Sequence, residues 1–147
     1  MRQSDLTKRV PESIEVGKVF SYRRTLTEGD DSLFIGATWD VNPLHTDDVY
    51  AESTDFGCRI VPGLLTASLL THLGGLWAFM ATRMEFTFTA PVYIGDTITA
   101  EAEIVEYETE RGWVRLKCQC LNRNGEQVLL GEVEGFPGSF QTQVDET

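Results

Sequence analysis

Cations are scarce in this chain. Twelve Lys and Arg stand against 23 Asp and Glu, leaving a formal net charge of −11 over 147 residues. Such a surface disfavours nucleic acid and anionic membranes as main partners. Histidine occurs only as His45 and His72, and cysteine only as Cys58, Cys118 and Cys120. A structural metal site needs about four such ligands drawn together. Cys118 and Cys120, two apart in a strand pattern, share one sheet face and read as core or sheet-face residues, so no metal is expected. An odd cysteine count, and a start (Met-Arg-Gln-Ser-Asp) without an apolar signal region, make a reduced cytosol the expected setting. There is no P-loop, no GxGxxG and no internal repeat, and no cofactor is expected. Ile60 to Met80 is long enough to invite a membrane-spanning reading. Pro62, Thr66, Ser68, Thr71, His72, Gly74 and Gly75 interrupt it, and no basic cluster flanks it.

What the chain does have is a regular order of elements, enough for one domain over 1–147 with its own core. Residues 1–12 read as a polar arm and 138–147 as a polar, acidic tail. Val16 to Arg24 alternates as a first strand. Thr27-Glu28-Gly29-Asp30 opens a short helix, with Leu33, Phe34 and Ala37 at helical spacing on its apolar side. Thr46 or Asp47 can cap another short helix carrying Val49, Tyr50 and Ala51. The run from Ile60 reads as a strand end, Pro62 at a helix start, then a helix apolar on nearly all sides. Such a helix in a soluble domain must be buried on nearly all sides, with Gly63, Ala67, Gly74, Gly75 and Ala78 admitting strands closely. After Met80 the pattern is sheet: Glu85–Thr89, Thr97–Glu108 with a slip near Val105, Trp113–Leu121 and Gln127–Gly135. Asn122-Arg123-Asn124-Gly125 signals a hairpin between the last two. A helix wrapped by about five antiparallel strands is an α+β architecture.

The chemistry concentrates in Asp40-Val41-Asn42-Pro43-Leu44-His45. Asn42, standing before proline, is pushed toward extended geometry, so a turn and not a helical pair brings Asp40 and His45 to one spot. An Asp and a His sharing a water form a general acid–base unit. Asp and His in a polar loop are more often an Asx turn and a surface histidine. The second piece, Ile60-Val61-Pro62-Gly63-Leu64-Leu65, offers unsatisfied N–H groups at a helix start, where Gly63 lets a ligand oxygen approach the backbone.

These motifs, in this order, resemble the MaoC-like, (R)-specific enoyl-CoA hydratase family, which has the hot dog fold. The matching residues are Asp40-x-Asn42-Pro43-x-His45, Tyr50-Ala51, and Ile60-Val61-x-Gly63-Leu64-x-x-Ala67-Ser68. A looser likeness runs through Phe86-Thr87-Phe88-x-x-Pro91-Val92-x-x-Gly95-Asp96. The resemblance implies reversible hydration of a trans-2-enoyl thioester, carried by CoA or acyl-carrier protein, to the (R)-3-hydroxyacyl thioester. On that reading Asp40 and His45 activate water, the Gly63 N–H holds the thioester oxygen, Asn42 supports the turn, and Thr71 takes the place of a substrate-facing hydroxyl. The family commonly has Ser where Thr71 stands and His where Pro62 stands, departures that suggest a different substrate subclass. It implies a homodimer with sites at the subunit interface. Anionic CoA needs a local basic patch, for which Arg59, Arg83, Arg111, Arg115 and Lys117 are available. His72 is expected in the core, hydrogen-bonded to backbone. Trp77, Phe79 and Phe86 are expected in the core or on a dimer surface, or lining an acyl tunnel. Two rival functions use the same scaffold: a hot dog acyl-CoA thioesterase, attacking the carbonyl carbon, and a non-catalytic partner subunit of a heterodimeric dehydratase. Retention of both Asp40 and His45 speaks against the second.

Overall fold

The computed structural model describes residues 14–138. The arm expected over 1–12, and the tail beyond Gly138, lie outside the described residues. Strand β1 (Val19–Thr25) leads into helix α1 (Glu28–Thr38), and two short segments, α2 (Pro43–Thr46) and α3 (Asp48–Glu52), precede helix α4 (Gly63–Leu76). Strands β2 (Met80–Phe88), β3 (Thr97–Glu108), β4 (Trp113–Leu121) and β5 (Gln127–Phe136) follow. All pairings are antiparallel and the sheet order is β1-β3-β4-β5-β2. This is the α+β hot dog arrangement, one sheet against one long helix.

Local chemistry explains the boundaries. Thr27 caps α1 with a capping box: its hydroxyl accepts from the Asp30 N–H at 3.2 Å, and Asp30 Oδ2 accepts from the Thr27 N–H at 2.9 Å. The slip near Val105 is a register shift between Ile104 and Glu106. In the β4–β5 hairpin, Asn122 Oδ1 accepts from the N–H groups of Asn124 and Glu126, and Gly125 takes φ +77°.

Alternation along β3 and β4 turns Ile98, Ala100, Ala102 and Ile104, with Val114, Leu116, Cys118 and Cys120, inward. They pack with Leu65, Ala67, Leu69, Leu70 and Leu73 of α4 in one core cluster. One line of register partners runs Phe20, Ala102, Cys118, Gly131, Phe86 across all five strands. Small residues in the middle and rings at both ends leave a trough. Beneath α4 it forms an apolar cavity of about 410 Å³, whose walls include Ala67, Ser68, Thr71 and Gly74.

Four expectations are corrected. Helix α4 is not buried nearly all round: Leu64 is 62% exposed, and Thr71, His72 and Gly75 are exposed too. A single five-stranded sheet reaches round only part of a helix, and the stripe Leu64, Ser68, Thr71, Gly75 lies on the uncovered side. Strand approach does not require Gly74 or Gly75, since a Cβ there would meet Phe79 Cβ at 3.8 Å or nothing. His72 is no core residue; it stacks on the Tyr22 ring at 3.9 Å between centroids. In α1, Leu33 and Ala37 face solvent and Asp31 turns inward. Among the described residues no helix is long and apolar enough to cross a membrane.

Candidate active site

Helix α1 ends on Trp39 in the left-handed region, at φ 59°, with its N–H donating to Ile35 O at 2.8 Å. That conformation is costly for a residue with a Cβ, and it swings the chain so that Asp40 leaves the helix axis. Asp40 Oδ1 accepts from the Asn42 N–H at 3.3 Å. Asn42 Oδ1 in turn accepts from the Leu44 N–H at 3.0 Å, capping α2, and Pro43 fills its first position. The expected turn is thus a bend followed by one helical turn, with Asp40 before it and His45 on it.

His45 is 8% exposed. Its Nδ1 lies 2.7 Å from Ile60 O. A carbonyl only accepts, so Nδ1 carries the proton, and in the neutral ring Nε2 keeps a free lone pair. Nε2 is 3.7 Å from Asp40 Oδ2, too far for a direct hydrogen bond and well placed for one water oxygen to touch both. The Asp40 side chain is 43% exposed, so solvent reaches the pair.

Helix α4 begins with Pro62 as N-cap and no side-chain cap. The N–H groups of Leu65 and Thr66 bond back to Pro62 O. Those of Gly63 and Leu64 have no acceptor among the described residues, as expected for a first turn. Gly63 has a second reason to be glycine, absent from the sequence reading. A Cβ there would fall 2.9 to 3.1 Å from the ring of Phe88.

A cavity of about 630 Å³ joins the pieces: Asp40, His45, Pro62, Gly63, Leu64 and Phe88 all line it. Thr66 lines it too, and its buried Oγ1 has no hydrogen-bond partner. Asn42 holds the turn from outside this cavity. Thr71 lies in the other cavity, where Thr71 Oγ1 donates to Ser68 O at 2.5 Å and Ser68 Oγ to Leu65 O at 2.6 Å. Leu64 borders both spaces. Trp77 packs edge-on against Phe20, with centroids 4.5 Å apart, and Trp77, Phe79 and Phe86 all line the apolar cavity.

Of the five cations available for a phosphate, four are held in ion pairs. Arg83 pairs with Glu85, Glu132 and Glu134, Arg111 with Glu108, and Arg115 with Glu106 and Glu132. Lys117 alone of the five has no ion-pair partner among the described residues, and it borders the same surface hollow as Glu101 and Glu103. Arg59 reaches Glu28, Asp31 and Asp48. Hydrogen bonds to the Asp48 and Glu28 carboxylates push its pKa above the usual arginine value. Burial pushes the Asp31 carboxyl up, and the Arg59 charge opposes that shift. Sequence spacing does not reveal this knot, because Glu28, Asp31 and Asp48 all stand in first helical turns, where an acid needs no distant partner. Among the described residues no group of three His, Cys, Asp or Glu could hold a metal ion.

Comparison with known proteins shows the family and the fold. Residues 10–119 match the model of the MaoC like domain, a span that includes the dyad and all of α4. The chain is 34% identical over 137 residues to the (R)-specific enoyl-CoA hydratase of Rhodospirillum rubrum, covering 90% of this chain and 94% of that one. To the 3-hydroxybutyryl-CoA dehydratase of Methylorubrum extorquens it is 36% identical over 126 residues, covering 82% and 79%. The solved R-hydratase of Pseudomonas aeruginosa, unliganded, matches with a TM-score of 0.79 at 31% identity, covering 84% of this chain and 82% of that one. Motif order, sheet topology and these likenesses agree: the chain belongs to the MaoC-like family of hot dog proteins.

Proposed function

We propose that this protein is a hydro-lyase that reversibly adds water across a trans-2-enoyl-CoA to give the (R)-3-hydroxyacyl-CoA. One observation carries the reading: a single cavity holds Asp40 and His45 with Oδ2 and Nε2 3.7 Å apart, beside the free N–H groups that open α4. Water seated between Oδ2 and Nε2 gives up a proton to the dyad as its oxygen bonds to C3. The electron pair of the alkene moves through C2 onto the thioester oxygen. The Gly63 and Leu64 N–H groups face that growing charge, and losing one such donor typically costs about 10²–10³ in rate. The dyad then returns a proton to C2, so atoms and charge balance with the thioester intact. The proton-handling step is worth about 10²–10⁴.

Asn42 acts as support for the turn. The acyl tail leaves the dyad past Leu64 for the apolar cavity, where Thr71 forms part of the wall. Two of the similar proteins are named for CoA thioesters, which supports CoA as a carrier. A homodimer fits the free edges of β1 and β2 and the uncovered stripe on α4, which a second copy can close. Three unpaired thiols fit a reducing cytoplasm.

The test mixes purified protein with a panel of enoyl-CoAs, following loss of the conjugated absorbance and, in parallel, thiol release. Hydration without thiol supports the reading. Rapid thiol release from saturated acyl-CoA, with the enoyl absorbance unchanged, assigns the thioesterase instead. Inactivity of the well-folded protein towards every substrate assigns the non-catalytic subunit. Sizing with light scattering tests assembly, and an active monomer contradicts the dimer.

A further inference from the structure

His45 is held from three sides by two consecutive residues. Ile60 O takes the Nδ1 proton at 2.7 Å, and the Ile60 N–H donates to Leu44 O at 3.1 Å. Arg59 Nη1 donates to the His45 carbonyl at 3.3 Å. The same guanidinium sends Nε to Asp48 Oδ1 at 2.6 Å and Nη2 to both Glu28 oxygens at 2.7 and 2.8 Å. Asp31 Oδ2 lies 3.5 Å from Nη1. One planar cation therefore ties α1, α2 and α3 together around the histidine, with its side chain only 15% exposed. Asp31 is 1% exposed, and its Oδ1 has no hydrogen-bond partner among the described residues. A carboxylate so placed depends on its cation, and removing one partner of a buried pair leaves an uncompensated charge.

We infer that Arg59 is a positioning residue: it fixes the α2 turn so that His45 Nδ1 stays on the Ile60 carbonyl and Nε2 stays turned toward the water site. Arg59 does not line the cavity that holds Asp40 and His45. Its effect passes through the His45 carbonyl and through Ile60, the next residue in the chain. Lysine keeps the charge that Asp31 requires but has no planar fork, so it cannot serve α1, α2 and α3 together. The inference rests on His45 being one half of the water-activating pair.

The experiment uses Arg59→Met and Arg59→Lys with two readouts. Displacement of a catalytic group by about 1 Å costs on the order of 10²-fold. In Arg59→Met, kcat for crotonyl-CoA is expected to fall about 10- to 100-fold, with KM changed by less than about twofold. Arg59→Lys is expected to fall between Arg59→Met and wild type. The second readout is the ¹⁵N spectrum of histidine-labelled protein, which is simple because the chain has two histidines. His72→Gln assigns the signals. The wild type is expected to hold neutral His45 in the Nδ1–H form, while Arg59→Met mixes both tautomers and leaves His72 unchanged. Should Arg59→Met fail to fold, Arg59→Lys carries the same comparison. A folded variant with wild-type kcat, or wild-type His45 signals in every folded variant, overturns the inference. The tautomer readout needs no turnover, so an inactive wild type would refute the hydratase reading while the positioning of His45 is still decided.

Discussion

Two cavities border α4, and they differ in what their polar groups have left to offer. In the first, Asp40 Oδ2 and His45 Nε2 lie 3.7 Å apart with no hydrogen-bond partner among the described residues, and the Gly63 and Leu64 N–H groups have no acceptor among them. In the second, the Ser68 and Thr71 hydroxyls already donate to helix carbonyls at 2.6 and 2.5 Å, and the rest of the wall is apolar. Hydroxyls occur on both sides of the helix, but a negative charge that develops during reaction is met only by an unused donor, and a proton is taken only by a basic group such as a carboxylate or an imidazole nitrogen. On the proposed reading, the first space serves bond making and the second holds a hydrocarbon.

The strongest way to break this contrast is to empty the first cavity of its chemistry. Asp40→Asn and His45→Gln should each lower hydration about 10²- to 10⁴-fold in a folded protein. Because they share one water, the double variant should be scarcely worse than either single. Near wild-type crotonyl-CoA hydration in both singles would remove the site from consideration.

Gly63→Ala should come next. Its Cβ would press on the Phe88 ring at 2.9 to 3.1 Å, with an expected stability loss of about 1–3 kcal/mol and weaker catalysis. Phe88→Leu in the same chain should recover much of the stability, read by urea unfolding. No recovery would mean that the ring contact is not what requires glycine there.

Thr71→Val sharpens the comparison from the other side. With its donor engaged inside the helix, the hydroxyl should matter little: crotonyl-CoA turnover is expected within about threefold of wild type, and stability within about 0.5 kcal/mol. A hundredfold loss would give the second cavity a chemical role.

The smallest effects concern the two buried cysteines of β4, of which Cys118 lines that cavity. Burial pushes the Cys118 and Cys120 thiols up to about 12 from 9.0, whereas Cys58 is exposed. At pH 8 a maleimide should label one thiol per folded chain and three after unfolding. Fast labelling of a second thiol would mean that the cavity is wet. The same shift has a sign in stability. Below pH 9 these thiols are protonated in both states, but between pH 9 and 12 only the unfolded chain ionises, so stability falls as pH rises. A urea midpoint that climbs across that window contradicts the burial.

By itself the sequence determined whatever depends on neighbours along the chain. Thr27 and Asp30 make their cap from adjacent backbone, Asn122 and Gly125 make their hairpin, and alternation puts Cys118 and Cys120 on one face. The dyad was legible because Asp40, Asn42, Pro43 and His45 belong to one short bend, and Gly63 because a helix start leaves N–H groups free whatever surrounds it. Tertiary structure alone decided which groups remain available. The wrap of five strands left Leu64 and Thr71 on an uncovered side of α4, and Thr71 engaged its hydroxyl within the helix. Phe88 came to rest on Gly63 from a strand 25 positions away, and Arg59 gathered Glu28, Asp31 and Asp48 across 31, 28 and 11 positions. Ion pairs and ring contacts act through space within a few ångströms, and nothing in residue spacing encodes which distant side chains folding will bring that close.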